Sequence, residues 1–360
     1  MLSEHGGNIY RFMEEMSYEI DGVIDFSASI NPLGVPESVI EKIKDGIKFL
    51  CHYPDPEAKR LTQEISRHLE INPQYIICGN GSTELIYLIV RALRPERVLI
   101  PEPTFSEYER ACRLCNKLEV VSYELKEENN FRIDPDDFIS SLITHHLSRS
   151  LDMVFLCNPN NPTGQLLKRD DVIKIADAAR DLKCYLVVDE AFIDFIPEDS
   201  VINEVENNPY LVVLRSLTKF YALSGLRIGY GVFPEDVINL IRRHKEPWTV
   251  NTLAEMAGIA ALKDIGYKKE TFKVIGEGKK LLEDGFRLLR INYFPSSANF
   301  YLIRHGKARK IISSLNDKRI MVRDCSNFRG LDSTYMRIAV RSKGDNMILL
   351  KEFGEICQAL

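Results

Sequence analysis

No run of apolar residues in this 360-residue sequence approaches the roughly 18–20 that a membrane-spanning helix needs, so a membrane span is not expected. Nor is there an excess of positive charge. Lys and Arg number 47 against 52 Asp and Glu, a formal charge of −5, which argues against a broad nucleic-acid or anionic-membrane surface. Local anion pockets remain open, because a few arginines barely move the total. The start, Met1-Leu-Ser-Glu-His-Gly-Gly-Asn8, lacks the basic segment and apolar run of a signal peptide. The eight cysteines are scattered and a chain of this size does not need disulfides, so a cytoplasmic, reduced location is expected. Cys112 and Cys115 form a C-x-x-C, but no second pair follows to complete a metal site. The pair sits late in a predicted helix rather than at its start, where thiolates are stabilised; two partly buried thiols are expected there. His145-His146 is likewise isolated, and a solvated or loop pair is expected.

What is present is ordinary globular composition, 45% hydrophobic and 28% charged, in a chain longer than a typical single-core domain. Short apolar runs read as buried strands over 75–78, 97–100, 153–157, 185–188, 211–214 and 228–233. Amphipathic stretches separate several of them. Leu85, Ile86, Leu88, Ile89, Ala92 and Leu93 fill one helical face, and Val172, Ile173, Ile175, Ala176, Ala179 and Leu182 fill another. Strands apolar on both faces and separated by helices imply an α/β fold with a mostly parallel, doubly covered sheet. The expected division is an N-terminal segment over 1–50, a large domain over 51–255 and a smaller α+β domain over 256–360. Strands are expected in that last part over 299–303, 320–323 and 335–340, and the N-terminal segment is expected to join it.

Ligands in open α/β sheets bind at the carboxyl ends of the strands, so polar groups there are informative. The stretch Cys78-Gly-Asn-Gly-Ser-Thr-Glu84 follows one strand and opens a helix. Gly81 permits a tight turn, while Ser82 and Thr83 bring hydroxyls to a helix N-terminus that favours an anion. Glu84 stands where a dinucleotide motif needs a third glycine, so that motif fails. Taken alone, a plain capped glycine turn explains the stretch slightly better. Asn161 lies in a constrained Asn-Pro turn, Cys157-Asn-Pro-Asn-Asn-Pro-Thr-Gly164, that could aim its amide at a ligand. Asp189 follows four apolar strand residues, where an unpaired carboxylate is costly and calls for a cation; an exposed strand-end acid is the plainer alternative. Lys219, in Arg215-Ser-Leu-Thr-Lys219, sits in an apolar stretch where burial lowers an amine's pKa and favours Schiff-base chemistry. Ser216, Thr218 and Arg227 are placed to bind a phosphate, and the competing account of Lys219 is a surface lysine beside a turn.

The order and spacing of Asn161, Asp189, Lys219 and Arg227 resemble the fold-type I aminotransferase superfamily of pyridoxal 5′-phosphate enzymes. That resemblance implies an aminotransferase-like large domain beside a smaller one. It implies that Asp189 pairs with the pyridine nitrogen, Asn161 bonds the ring 3′-oxygen and Lys219 forms the Schiff base. Gly81, Ser82, Thr83, Ser216, Thr218 and Arg227 would hold the cofactor phosphate. Tyr108 would stack on the ring, with Phe105 as the other choice. Phe192 stands where many relatives carry a tyrosine, so one donor to the 3′-oxygen is missing.

Nearly the full length also resembles the L-threonine-O-3-phosphate decarboxylases of cobalamin biosynthesis. The marks are His5-Gly-Gly-Asn8, Asp25-Phe-Ser-Ala-Ser-Ile-Asn31-Pro-Leu-Gly34, Tyr53-Pro-Asp55 and Asp189-Glu-Ala-Phe-Ile-Asp-Phe-Ile-Pro197. The stretch Arg323-Asp-Cys-Ser-Asn-Phe-Arg-Gly-Leu-Asp332 leads to Arg337. Histidinol-phosphate aminotransferases share the cofactor motifs and are the alternative. The decarboxylase resemblance implies a small phosphorylated amino acid as substrate. Arg337 would hold its carboxylate, with Asn161 also in contact, and Arg323, His5, Gly6 and Asn31 would grip its phosphate. It also implies a homodimer in which Tyr53 reaches the partner subunit's cofactor.

Overall fold

The computed structural model describes residues 5–16, 19, 22–114 and 118–359. Its centre is a seven-stranded sheet. In spatial order the strands are Ile76–Asn80, Ile228–Val232, Leu211–Ser216, Tyr185–Asp189, Met153–Cys157, Arg97–Glu102 and Glu119–Glu124. Ile228–Val232 runs antiparallel to both neighbours, and the other six strands share one direction. The strand pattern explains this layering. Met153 and Phe155 pack against helices Gly81–Leu93, Glu107–Arg113 and Glu235–His244 on one face. Val154 and Leu156 pack on the other, with helices Lys59–Leu69, Pro135–Ser148, Arg169–Asp181 and Thr252–Lys263. Alternate side chains of a strand point to opposite faces, so a continuous apolar run needs a helix layer on each side.

Local signals start several helices. The Asp134 carboxylate accepts from the Asp136 and Asp137 amides ahead of Pro135, and Asn251 accepts from Ala254 N–H. The edge strand Glu119–Glu124 escapes the sequence reading, because Glu-Val-Val-Ser-Tyr-Glu has no unbroken apolar run. His145 and His146 stand in the last turn of a helix rather than in a loop, where His146 Nδ1 accepts from Leu151 N–H at 3.2 Å. Cys112 is buried on its helix, Cys115 lies outside the described residues, and the described cysteines are free. Among the described residues no group of His, Cys, Asp or Glu is arranged to hold a metal, and no helix is long and apolar enough to cross a membrane.

The C-terminal part forms a four-stranded antiparallel sheet ordered Arg323–Asp324, Tyr335–Ala339, Phe300–Arg304, Asn292–Tyr293. Helices Ile265–Leu288, Ala308–Asp317 and Lys343–Ala359 cover it. The chain's beginning joins this layer. Ile24–Asp25 pairs in parallel with Ile320–Met321, and Phe26 is fully buried in the same apolar cluster. The consequence for function is geometric. The carboxyl ends of the large sheet, residues 25–29 and the strand carrying Arg337 enclose one cavity of about 920 Å³.

Candidate active site

Cys157 and Asp189 end adjacent parallel strands in direct register, and Ser216 ends the next. Asp189 is only 3% exposed. Its Oδ2 accepts from the Tyr108 hydroxyl at 2.7 Å and its Oδ1 from Ala191 N–H at 3.0 Å. Burial pushes this carboxyl up to about 6; the two hydrogen bonds and the nearby Lys219 charge pull the other way. A buried acid in this state gains by meeting a cation.

Lys219 follows on the short helix Leu217–Phe220, whose first turn is capped by Ser216. Burial, reinforced by the positive charges of Arg337 and Arg227, lowers its amine to about 8. It forms no ion pair among the described residues. These conditions leave a usable fraction of nucleophilic amine near neutral pH.

A third part of the cavity is built for an anion. Ser82 and Thr83 open the helix Gly81–Leu93, whose free N-terminal amides carry partial positive charge. The hydroxyls of Ser216 and Thr218 lie 2.7 Å apart, and Arg227 lines the same wall. Gly81 has its amide taken within the chain, the N–H donating to Arg227 O at 3.0 Å. Its glycine character serves the approach of Arg227. Gly81 has φ +71°, and a Cβ there would lie 2.5 Å from the Arg227 guanidinium.

The small-domain wall holds two arginines. Arg323 and Arg337 face each other across antiparallel strands, and both are buried. Like charges directly opposite on a strand pair repel, so the arrangement favours anionic company. Arg337, 6% exposed, donates to Asn161 Oδ1 and to Ser27 O at 2.8 Å, and lies over the Phe300 ring at 4.9 Å. Its Nε is buried without a partner, and no carboxylate pairs with it among the described residues. Burial, with the Arg323 charge, lowers Arg337 to about 10. The Arg337 bond fixes the Asn161 amide by its oxygen. Asn161 Nδ2 makes no hydrogen bond among the described residues and remains a donor at the cavity wall. Arg323 donates to Asp324 O at 2.5 Å and Asn327 Oδ1 at 2.7 Å, with its guanidinium over Phe328.

His5 and Gly6 line the cavity mouth as expected, but Asn31 does not reach it. Its Nδ2 donates to Phe220 O and Thr271 Oγ1, both at 2.7 Å, and its Oδ1 accepts from Leu33 N–H. Asn31 therefore braces the Lys219 helix instead of a ligand. Ser27, Ala28 and Ser29 of that segment line the cavity, and the buried Ser29 hydroxyl has no partner among the described residues. Sequence reasoning passed over it because a serine in an irregular segment carries no periodic signal. Tyr108 and Phe105 both line the cavity. Tyr108 commits its hydroxyl to Asp189 and lays its ring parallel to Phe155 at 4.9 Å, while Phe105 is the half-buried aromatic of the same wall. Tyr53 is outside the cavity, 84% exposed, with its ring 5.1 Å from Trp248.

A model of the aminotransferase class I and II family matches residues 21–353. The chain belongs to that family. Among relatives, it is 39% identical to the threonine-phosphate decarboxylase of Salmonella typhimurium, covering 97% of this chain and 95% of that one. Among solved structures, the histidinol-phosphate aminotransferase of Clostridium acetobutylicum superposes with a TM-score of 0.86 at 34% identity, covering 94% of this chain and all of that one. The L-threonine-O-3-phosphate decarboxylase of Porphyromonas gingivalis superposes with a TM-score of 0.82 at 28% identity, covering 93% of this chain and 100% of that one.

Class I and II aminotransferases use pyridoxal 5′-phosphate, and the cavity's residues fit that group. A buried carboxylate with no ion pair among the described residues, Asp189, suits the protonated ring nitrogen. The Asn161 amide suits the ring oxygen. The amine of Lys219 suits the aldehyde carbon, and the Ser82–Thr83 turn with Ser216, Thr218 and Arg227 suits the phosphate.

Proposed function

We propose that the protein decarboxylates O-phospho-L-threonine to (R)-1-aminopropan-2-ol phosphate and CO2, supplying the cobalamin nucleotide-loop linker as the family resemblance implies. The observation that carries this reading is the buried pair Arg323 and Arg337, facing one another beside Lys219's cavity. A substrate with a carboxylate at one end and a phosphate at the other answers both charges. Guanidinium groups bind each of these anions with paired hydrogen bonds.

Pyridoxal 5′-phosphate supplies the electron sink that accepts the pair of electrons left at Cα when CO2 departs. The chain's own residues do the rest. Asp189 keeps a proton on the ring nitrogen, which makes the sink effective. Arg337 receives the carboxylate, while Arg323, Ser29 and the His5-Gly6 backbone receive the phosphate. The phosphate lies away from the bond that breaks, so its binding energy would orient the substrate in the cavity without stabilising the carboxylate itself. Phe192, packed edge-on against Phe300 at 5.0 Å, keeps this side of the cavity apolar. Lys219 holds the cofactor between turnovers and returns a proton to Cα before product leaves.

The test offers O-phospho-L-threonine to the holoenzyme and follows CO2 together with 2-oxoglutarate-dependent keto-acid formation. Stoichiometric CO2 without keto acid is expected. Keto acid without CO2 would place the reaction with the histidinol-phosphate-type aminotransferases and overturn the proposal.

The active unit we assign to this chain is a homodimer with shared sites. Tyr53 is exposed beside the apolar Ile47, Phe49 and Leu50, outside its own cavity, as a residue serving the partner's cofactor phosphate would be. Specific activity is expected to fall on dilution in step with loss of dimer mass by sedimentation. Fully active monomers would refute the assignment.

A further inference from the structure

Glu107 is a buried carboxylate lining the same cavity as Arg323 and Arg337, and its sign is wrong for contacting a phosphate. Its geometry points elsewhere. Glu107 Oε1 lies 2.8 Å from His5 Nε2, and Oε2 accepts from the Tyr87 hydroxyl at 2.5 Å. Arg110 reaches the same carboxylate at 3.3 Å. These partners hold Glu107 down at about 2 against the opposing effect of its burial. The His5 ring also rests 5.6 Å from Phe105. Two residues on, Gly7 N–H donates to Ser27 Oγ at 2.7 Å. Between them, a Cβ on Gly6 would lie 2.3 Å from Ser27 O and 3.3 Å from the Arg323 side chain. The segment His5-Gly6-Gly7 thus crosses the mouth, fastened to the large domain at Glu107 and to the Arg323 wall at Ser27.

We infer that Glu107 is a positioning residue that sets the phosphate specificity of the site by docking His5 over the mouth, with Tyr87 orienting the carboxylate. The inference rests on the reading that the mouth receives the substrate phosphate. In this reading Glu107 acts through His5 rather than on the substrate itself.

The experiment compares Glu107→Ala, Glu107→Gln, His5→Ala, the Glu107→Ala/His5→Ala double variant and Tyr87→Phe as holoenzymes. A lost hydrogen bond to a charged group corresponds to roughly a tenfold effect or more. Glu107→Ala is therefore expected to raise KM for O-phospho-L-threonine by about tenfold, with kcat within about threefold and cofactor absorbance unchanged. Glu107→Gln should recover part of the loss, and the double variant should be no worse than His5→Ala. Tyr87→Phe, which removes one hydroxyl and keeps the packing, should show a smaller rise in KM. Additive losses, or cofactor lost together with kcat, would overturn the inference. Calorimetric Kd values for (R)-1-aminopropan-2-ol phosphate need no turnover and separate the two readings. The same pattern in Kd without CO2 release by the unaltered enzyme would sink decarboxylation and leave the role of Glu107 standing.

Discussion

Replacing Lys219 by Ala is expected to lower kcat by about 10⁴-fold or more, the largest single effect in the molecule. The side chain is asked to do two things, to hold the cofactor covalently and to carry a proton to Cα, and no neighbour can substitute. Its amine is pushed down to about 8 by burial and by Arg337 and Arg227, so about a tenth is free amine at pH 7. An unperturbed lysine near 10.4 would offer far less. Capture of added pyridoxal 5′-phosphate by the cofactor-free protein should accordingly speed up as pH rises through about 8. The sign follows from the lowered pKa: protonation below that point removes the nucleophile. Sodium borohydride should fix cofactor to the unaltered protein and not to the variant. Full activity in Lys219→Ala would remove the basis of the site.

The second large effect is expected from Asp189→Asn. The amide keeps Oδ1 for Ala191 N–H, and its Nδ2 can donate to the Tyr108 hydroxyl oxygen in place of the bond that Oδ2 accepted, so the fold around it should survive. What it loses is the negative charge that keeps the ring nitrogen protonated. Removing a preorganised electrostatic partner of this kind costs about 10²–10³ in kcat. Cofactor affinity should fall as well, because the charge pair that offsets the burial of Asp189 is gone. Thermal stability of the cofactor-free protein should hold or rise, since an amide is cheaper to bury than a carboxylate raised to about 6. A variant with normal kcat, or one that fails to fold, would contradict this account.

The alternative product, a keto acid, differs from CO2 by the choice of bond broken at Cα. On the proposed reading, the choice would fall to how the Arg337 and Arg323 sides of the cavity hold the substrate's two anions. Glu107 enters at the same point, since it fixes one edge of the mouth from the large domain. Arg337 lies over the face of Phe300, and Phe192 packs edge-on against the same ring, so a change at Phe192 is expected to reach Arg337 through Phe300.

The sequence by itself made most of the large sheet legible, though not its edge strand Glu119–Glu124, together with the polar groups at its strand ends. Buried parallel strands are unbroken apolar runs, so Met153–Cys157 and the starts of Tyr185–Asp189 and Leu211–Ser216 could be read directly. Because such strands run in one direction, their carboxyl ends must meet, which brings Asn161, Asp189 and Lys219 together before any coordinates are known. Only the tertiary structure decided the rest. Residues 25–31 follow no period, so nothing local tells which of Ser27, Ser29 and Asn31 faces the cavity. Phe220 and Thr271 took Asn31 away from the cavity, Gly7 and the neighbouring Asp25 took the Ser27 hydroxyl, and the Ser29 hydroxyl was left without a partner among the described residues. The same holds for Gly81, whose amide went to Arg227, and for Tyr108, whose hydroxyl went to Asp189. Polar groups in irregular segments are assigned by whichever donor or acceptor burial brings near, and that contest is settled only when the domains close on one another.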